Sequence, residues 1–166
     1  AFGDKREGES KRLIIHQEPL SPVLDQYHTL RTNLLAMYGA EQQQIYIVSS
    51  ATAQEGKSLT TVNMALSMAL AGKRVLLIDT DLRRPKVHKL LSLENDKGLT
   101  HLLSVRLDAE QEASMGHQSI EAVGQSEVHQ MQSRPAVDWT QFTQKTDVVG
   151  LRVITSGFHP RNPAEI

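Results

Sequence analysis

Three consecutive residues, Gly56, Lys57 and Ser58, have the types and spacing of a phosphate-binding loop between an apolar run and an apolar-periodic segment. Glycine lets backbone amides approach a phosphate, lysine brings a positive charge to the β- and γ-phosphates, and the serine hydroxyl can ligate a phosphate-bound Mg²⁺. The full P-loop spacing, G-x-x-x-x-G-K-[ST], requires glycine at position 51, where the chain has Ala51. Since backbone conformation rather than chemistry requires that glycine, the stretch predicts a variant P-loop.

Two carboxylates, Asp79 and Asp81, follow the next apolar run, "VLLI". Parallel sheets bind ligands at the carboxyl ends of their strands, and a period of two sends both side chains to the same side. Carboxylates beside a triphosphate can hold Mg²⁺, directly or through water, or accept a proton from an attacking hydroxyl. Alternatively, Asp79 caps the next turn and Asp81 is solvated. With Lys57 on the neighbouring loop, we favour the functional interpretation.

A basic cluster follows these carboxylates. Most of it is interpreted as a solvated face, and the residue nearest to the carboxylates, Arg83, is the best candidate to touch a phosphate or a partner chain. The cluster comprises Arg83, Arg84, Lys86, His88 and Lys89.

The elements that must position these residues follow from the hydrophobic pattern. Residues 44–50 are apolar and β-branched, which predicts a buried strand, and residues 58–71 carry apolar side chains at helical spacing. Residues 73–81 predict a second buried strand that runs into the two aspartates. The order strand, loop, helix, strand in so short a stretch is typical of a βαβ unit with parallel strands.

Further elements are predicted on both sides of this unit. A helix is predicted to begin at Ser21 and to stop near Gly39, and a third strand is predicted over 151–157. Two short helices are predicted over 85–93 and 99–105.

The composition is that of an ordinary soluble globular protein, with 39% hydrophobic and 22% charged residues in 166. A net charge of −1 gives no whole-molecule attraction to nucleic acid or anionic lipid, and we expect no nucleic-acid partner. The absence of cysteine excludes disulfides and thiolate-bound metals. No run approaches the roughly 18–20 apolar residues of a membrane span.

The chain divides into a charged segment over residues 1–19, predicted to be a linker or arm, and a partial P-loop domain over residues 20–166. Within that domain, residues from about 105 to 148 are polar and irregular, so they are predicted to be a variable insertion or disordered. No methionine begins the chain, and its last residues, "NPAEI", look like the first turn of a helix. We therefore expect a piece of a longer protein.

Five stretches follow, in order, the pattern of a known family. They are "SPVLDQYHTLRTNLL", "IYIVSSATAQEGKSLTTVNMA", "VLLIDTDLRRPKVHKLL", "GLTHLL" and "LRVITSGFHPRNPAEI". Together they resemble the bacterial tyrosine kinases of capsule and exopolysaccharide synthesis (BY-kinases). The resemblance implies an α/β fold of the type shared with ParA/MinD ATPases: a three-layer P-loop NTPase-like parallel sheet flanked by helices, here incomplete at the C-terminus.

The resemblance also implies a reaction, the transfer of the ATP γ-phosphoryl group to tyrosines. By the family pattern, Lys57 and Ser58 are the Walker A lysine and the Mg²⁺-ligating hydroxyl, and Asp79 and Asp81 form the Walker A′ motif. The implied catalytic residues are Lys57, Asp79 and Asp81, and the implied metal ligands are Ser58, Asp79 and Asp81. The expected nucleotide-binding residues are Ala53, Gln54, Glu55, Gly56, Lys57, Ser58, Leu59 and Arg83.

Members of the family act with, or are fused to, a membrane-spanning polysaccharide co-polymerase that regulates chain length, and they assemble as rings. The resemblance therefore implies ATP and Mg²⁺ as cofactors, such a co-polymerase as partner, and a homo-oligomer. It places the protein in the cytoplasm at the inner face of the cell membrane, held there through the partner or a missing segment.

The chain departs from the family pattern in several places. Ala53 and Gln54 replace a proline and a glycine, and if position 54 requires φ > 0, glutamine costs about 1 kcal/mol. The assembly motif E-x-x-R-x-x-R becomes Asp25, His28 and Arg31. No apolar strand ending in Asp, the Walker B motif, follows residue 157, and the three tyrosines, at positions 27, 38 and 46, form no terminal cluster.

Two other functions stay open. An ATPase switch of the ParA/MinD type would hydrolyse ATP without phosphorylating protein, although such proteins usually carry an extra lysine early in the P-loop and residues 51–55 contain none. A degenerate, non-catalytic nucleotide-binding module of a co-polymerase would fit Ala53, Gln54 and the absent Walker B motif. For the 166-residue chain alone, we expect weak or no kinase activity.

Overall fold

The computed structural model describes residues 13–17, 21–38, 43–115 and 138–158, with the backbone alone given for 38 and 108–115. The helices are α1 (Pro22–Tyr38), α2 (Lys57–Leu70), α3 (Val87–Leu90) and α4 (Leu99–Met115), with 3₁₀ turns at Ile14–His16 and Trp139–Phe142. The strands are β1 (Val75–Ile78), β2 (Gln144–Lys145) and β3 (Leu151–Ile154).

The strands form one sheet in the order β1-β3-β2. β1 and β3 are parallel and in register from Val75 opposite Leu151 to Ile78 opposite Ile154, whereas β2 runs antiparallel to β3. The predicted second and third strands are therefore confirmed, but the parallel pairing lies between these two strands and not between the second strand and residues 44–50, as the predicted βαβ unit required. The sheet is mixed rather than wholly parallel, because the short strand β2 turns back along β3.

Helix α2 covers β1 and β3 with the apolar stripe that its sequence predicts. Its buried side chains include Val62, Ala65, Leu66 and Ala69, in one cluster with Leu77, Leu151 and Val153 of the sheet. Burying each large apolar side chain contributes about 1.5–3 kcal/mol, so this layer supplies most of the core. The helix ends before Gly72, whose φ of 78° lets the chain turn directly into β1.

Helix α1 begins as predicted after Ser21, whose carbonyl accepts a hydrogen bond from the Asp25 N–H at 3.2 Å. Leu24 and Tyr27 pack against the core. The Arg31 guanidinium donates to the Ser67 carbonyl at 3.0 Å and lies 3.3 Å from the Ser67 hydroxyl, in the middle of α2. Arg31 thus connects α1 to α2 of the same chain.

The segment before α1 is partly core, which corrects the expectation of a linker or arm over its described residues. Leu13 and Ile14 are each 2% exposed, and the Ile14 N–H donates to the Asn63 side-chain oxygen at 3.0 Å. Consecutive apolar residues gain free energy by burial, and the buried Asn63 satisfies the backbone amide that comes with them.

The predicted buried strand over 44–50 is wrong in this structure. That segment belongs to no strand, and Ile45 and Ile47 are 86% and 90% exposed. A fully buried parallel strand needs neighbours at both edges and helices on both faces. None of the three described strands pairs with it, so its apolar side chains stay in solvent.

The segment predicted to be irregular contains more regular structure than expected. Helix α4 continues to Met115, and the 3₁₀ turn and β2 occupy most of residues 139–145. Asp138 starts that turn by accepting hydrogen bonds from the N–H and hydroxyl of Thr140, at 3.0 and 2.5 Å. Residues 116–137 of the predicted insertion lie outside the described residues.

The start of α4 is docked against the end of β3. The N–H groups of Leu99 and Thr100 donate to the carbonyls of Thr155 and Ser156, at 2.8 and 3.0 Å. A side chain at Gly98 would place its Cβ 2.2 Å from the Thr155 oxygen, so only glycine permits this approach.

In the described part of the chain, no helix is both long and apolar enough to cross a membrane.

Candidate nucleotide site

The candidate site lies at the carboxyl ends of β1 and β3. Because the two strands are parallel and in register, Asp79 and Thr155 leave the sheet at the same edge, and the Asp79 N–H extends the ladder to the Ile154 carbonyl at 2.9 Å. A short turn joins α2 to β1, so the helix runs back along the strand and its N-terminus points to that edge. The fold therefore brings the predicted loop and the predicted carboxylates together.

The backbone of the loop before α2 is suited to an anion. Gly56 is the N-cap of α2 with φ of 91°, and no side chain caps the helix. The first N–H groups of a helix have no partner within it, and the helix dipole adds positive potential at that end. Gln54 has φ of 68°, so position 54 does require the left-handed conformation, whereas Ala51 avoids it.

Inside this loop, Thr52 and Glu55 form a pair that sequence reasoning missed. The Thr52 hydroxyl donates to one Glu55 carboxylate oxygen at 2.7 Å and the Thr52 N–H donates to the other at 3.3 Å. These bonds hold the pKa of Glu55 below its ordinary value, although the carboxylate is exposed to solvent. The spacing T-x-x-E, which is typical of capping boxes, is the signal that could have identified the pair. We call it the Thr52–Glu55 clip.

Lys57 and Asp81 meet across the site. The Lys57 ammonium donates to the Asp81 carboxylate at 2.7 Å, with the two side chains 36% and 21% exposed. The other Asp81 oxygen accepts the Arg84 N–H at 3.0 Å. The hydrogen bond from Lys57 is the main reason that the pKa of Asp81 lies below its usual range. The predicted proximity of this lysine and this carboxylate is confirmed; their roles stay predictions.

Asp79 is buried beside them, at 5% exposure. One of its oxygens accepts the Asp81 N–H at 3.1 Å and the other accepts the Val87 N–H at 3.2 Å, at the start of α3. Burial raises the pKa of Asp79 despite these two hydrogen bonds. Asp79 thus shapes the turn after β1, as its alternative interpretation expected, while each of its oxygens retains a second lone pair.

The remaining predicted residues surround this centre. Ser58 and Leu59 are half-buried in the first turn of α2, whereas Ala53 and Arg83 are exposed. Among the described residues, no group of three His, Cys, Asp or Glu side chains could hold a metal ion. A metal here would depend on one or two carboxylates, a hydroxyl and the phosphates of a ligand, which is the usual manner of Mg²⁺. Lys57, the uncapped helix and these oxygens fit a nucleotide–metal complex.

One family model matches residues 41–141, more than half of the chain, and is described as "ParA: NUBPL iron-transfer P-loop NTPase". The matched range contains the loop, α2, β1 and both aspartates. Members of such families bind a nucleotide together with a divalent metal ion, as the site geometry allows.

The chain is also similar to bacterial tyrosine kinases. It is 36% identical over 156 residues to the "Tyrosine-protein kinase YwqD" of Bacillus subtilis (strain 168), a match that covers 94% of this chain and 53% of that relative. Its fold is similar to "the chimerical protein CapA2B2" (TM-score 0.62, 26% identity) and to the "BceF Tyrosine Kinase Domain" (TM-score 0.62, 25% identity). These matches cover 93% and 97% of this chain, and 55% and 53% of the other two. The chain thus spans about half the length of these proteins.

Proposed function

Since the chain belongs to the ParA family of P-loop NTPases, we propose that this protein is an ATP-dependent protein-tyrosine kinase that regulates capsular or extracellular polysaccharide synthesis or export. The relative named a tyrosine kinase, 36% identical, supports the choice of reaction. The observation that carries the proposal is the 2.7 Å contact between Lys57 and Asp81, because it brings a phosphate-binding cation and a metal-binding carboxylate to one point.

Phosphoryl transfer depends on positioning and charge neutralisation more than on covalent help from the protein. Lys57 and the N–H groups at the start of α2 would bind the phosphates, and Ser58 and Asp81, with Asp79 through water, would supply oxygen ligands for Mg²⁺. When bound, Mg²⁺ withdraws charge from the phosphate oxygens. As the tyrosine oxygen bonds to the γ-phosphorus and the bond to the bridging oxygen breaks, the hydroxyl proton goes to Asp79. Burial raises the pKa of Asp79, which improves it as a base near neutral pH.

The partner and the assembly state belong to the same proposal. The expected partner is a membrane polysaccharide co-polymerase, which would hold the protein at the inner face of the cell membrane, and the expected assembly is a homo-oligomer. Arg31 of the assembly motif is engaged by Ser67 of its own chain. Contact through α1 would therefore use its exposed apolar residues, Val23, Leu30 and Met37, which are spaced by seven along the helix.

Labelling with γ-³²P-ATP tests the kinase in the full-length protein. We expect phosphotyrosine in the wild type and none in Lys57→Met, because that change removes the ammonium that binds the phosphates. Lys145→Met is the matched control, since Lys145 is exposed on β2, at the opposite edge of the sheet. Unchanged labelling of Lys57→Met would overturn the assignment.

The ParA match favours a second function, an ATPase switch of the ParA/MinD type. Release of phosphate without phosphotyrosine in the same assay would establish it.

The strained Gln54 instead suits a non-catalytic scaffold of the co-polymerase, which would show neither labelling nor phosphate release. Tight binding of Mg-ATP would count against a scaffold that never takes up nucleotide.

A further inference from the structure

We propose that Thr52 is a positioning residue of the phosphate loop, which acts by holding the Glu55 carboxylate in the Thr52–Glu55 clip and away from the bound phosphates. The inference rests on the nucleotide site proposed above and concerns how the loop tolerates an acidic residue. Thr52 touches neither nucleotide nor metal in this scheme; it acts through Glu55.

The clip uses all the strong hydrogen-bonding capacity that one residue can offer to a carboxylate. Both oxygens of Glu55 are engaged, one by the hydroxyl and one by the N–H of the same threonine. The Ser50 hydroxyl in turn donates to the Thr52 carbonyl at 2.9 Å, which fixes Thr52 from the other side. The turn therefore closes on itself over residues 52–55, with the left-handed Gln54 inside it.

The charge of Glu55 is the reason that the clip matters for function. Glu55 lies two residues before Lys57, next to the Gly56 N-cap whose helix terminus is to receive an anion. A carboxylate free to turn toward that terminus would repel phosphate and compete with it for the same N–H groups and for the Lys57 ammonium. In the structure both carboxylate oxygens are directed to Thr52 instead, and the Lys57 ammonium contacts Asp81 across the site.

A second carboxylate–threonine pair in the chain has the same two hydrogen bonds but lies away from the phosphate loop. Asp138 accepts hydrogen bonds from the N–H and the hydroxyl of Thr140, at the turn that precedes β2. That strand is at the edge of the sheet opposite to β1. Thr140→Val therefore removes an equivalent hydroxyl from an equivalent exposed pair, and is the matched control for Thr52→Val.

The test is calorimetric titration of the 166-residue chain with Mg-ADP and, separately, with inorganic pyrophosphate, at low and high salt. We expect Thr52→Val to weaken binding of both probes by about tenfold at low salt, because it removes the hydroxyl's hydrogen bond to a charged group and leaves the carboxylate held only by the longer bond from the residue 52 N–H. High salt should reduce the difference in affinity between the wild type and Thr52→Val, because it screens the repulsion between the Glu55 carboxylate and the phosphates. Thr52→Ser, which keeps the hydroxyl, should retain most of the affinity, and Thr140→Val should match the wild type.

The double variant Thr52→Val with Glu55→Gln separates the two causes. If the charge of Glu55 weakens binding in Thr52→Val, the double variant should recover most of the affinity for Mg-ADP and pyrophosphate. If Thr52 has only a structural role, the double variant should show no recovery and the loss of affinity should not depend on salt; that result would overturn the inference. So would equal affinities of the wild type and Thr52→Val. A wild type that binds neither probe would overturn the nucleotide site and the inference together.

The clip itself is measured without any nucleotide. NMR titration of the Glu55 carboxyl should give a pKa below the ordinary glutamate value in the wild type and a return toward that value in Thr52→Val. An unchanged Glu55 pKa on loss of the hydroxyl would show that the clip does not form in solution. This readout keeps failure of the clip distinct from failure of the proposed function.

Discussion

Gln54 has the backbone conformation that glycine adopts most easily, with φ of 68°. We expect Gln54→Gly to stabilise the chain by about 1 kcal/mol, because the left-handed conformation costs a residue with a side chain roughly that amount. Urea denaturation at equilibrium measures the change. Ala53→Gly is the control at the adjacent position, which lacks positive φ, and should destabilise the chain slightly; an equal effect of both substitutions would contradict the explanation by strain.

Asp79 should make stability fall as pH rises. Its pKa in the folded state is raised above 3.8 by burial, so its favourable contribution is complete below the unfolded pKa and is lost as pH rises through the folded pKa. The free energy of unfolding of the wild type, relative to that of Asp79→Asn, should therefore decrease from acidic to neutral pH. Denaturation of both proteins at a series of pH values measures this difference.

Asp81 should have the opposite effect. Its pKa is lowered, chiefly by the hydrogen bond from Lys57, so its contribution is present above the unfolded pKa and is lost as pH falls through the folded pKa. Relative to Asp81→Asn, the wild type should therefore gain stability from acidic to neutral pH. If the difference in free energy of unfolding between the wild type and each Asp→Asn variant changed with pH in the same direction for both aspartates, one of these two environments would be described wrongly.

The residues of the site differ in how far the sequence predicts them. Lys57, Ser58 and the two aspartates stand in motifs whose spacing follows from phosphate and metal chemistry, so pattern alone identifies them. Thr52 was missed because threonine in a loop has many uses and its role depends on a partner three residues away. That Asp79 bonds to Val87 depends on the tertiary path after β1, which no local pattern specifies.

Arg31 joins α1 to α2 by hydrogen bonds, beside the apolar contacts that Leu24 and Tyr27 of α1 make with the core. We expect Arg31→Met to lower the free energy of unfolding by about 1–3 kcal/mol, because it keeps most of the aliphatic volume but removes the hydrogen bonds that a charged guanidinium donates to Ser67. Arg74→Met is the control, at an exposed arginine before β1. Chemical denaturation measures both, and a change below the error at position 31 would show that α1 docks by other contacts.

At the level of elements, prediction succeeded where local pattern and burial agree. The apolar positions of α2 and β3 match their final burial, and their partners lie within the described chain. β1 is a continuous apolar run that forms the predicted strand, but of its residues Leu77 is buried whereas Leu76 and Ile78 are each 41% exposed. Residues 44–50 have the same apolar character as β1, yet pairing is a property of two segments and cannot be read from one. The continuation of α4 to Met115 was missed because its second half lacks a clear apolar stripe.

For the molecule as a whole, the exposed segment at 44–50 should govern solubility rather than stability. We expect a chain with Ile45→Thr and Ile47→Thr to self-associate less and to unfold at nearly the same denaturant concentration, because these side chains are 86% and 90% exposed. Light scattering against concentration and urea denaturation measure the two effects. Val153→Thr, at a fully buried position, is the contrasting control and should destabilise the fold. Marked destabilisation by the pair at 45 and 47 would show that this segment is packed in solution.

The ion pair of Lys57 and Asp81 joins the first residue of α2 to the loop after β1, 24 residues further along the sequence. Asp81 also accepts a hydrogen bond from the Arg84 N–H, so the same carboxylate connects the segment after β1 to the Lys57 ammonium. A ligand that draws this ammonium toward itself must therefore change the surroundings of residues 82–86. An environment-sensitive dye on the exposed Lys86 would report loading of the loop optically, with no label on the ligand.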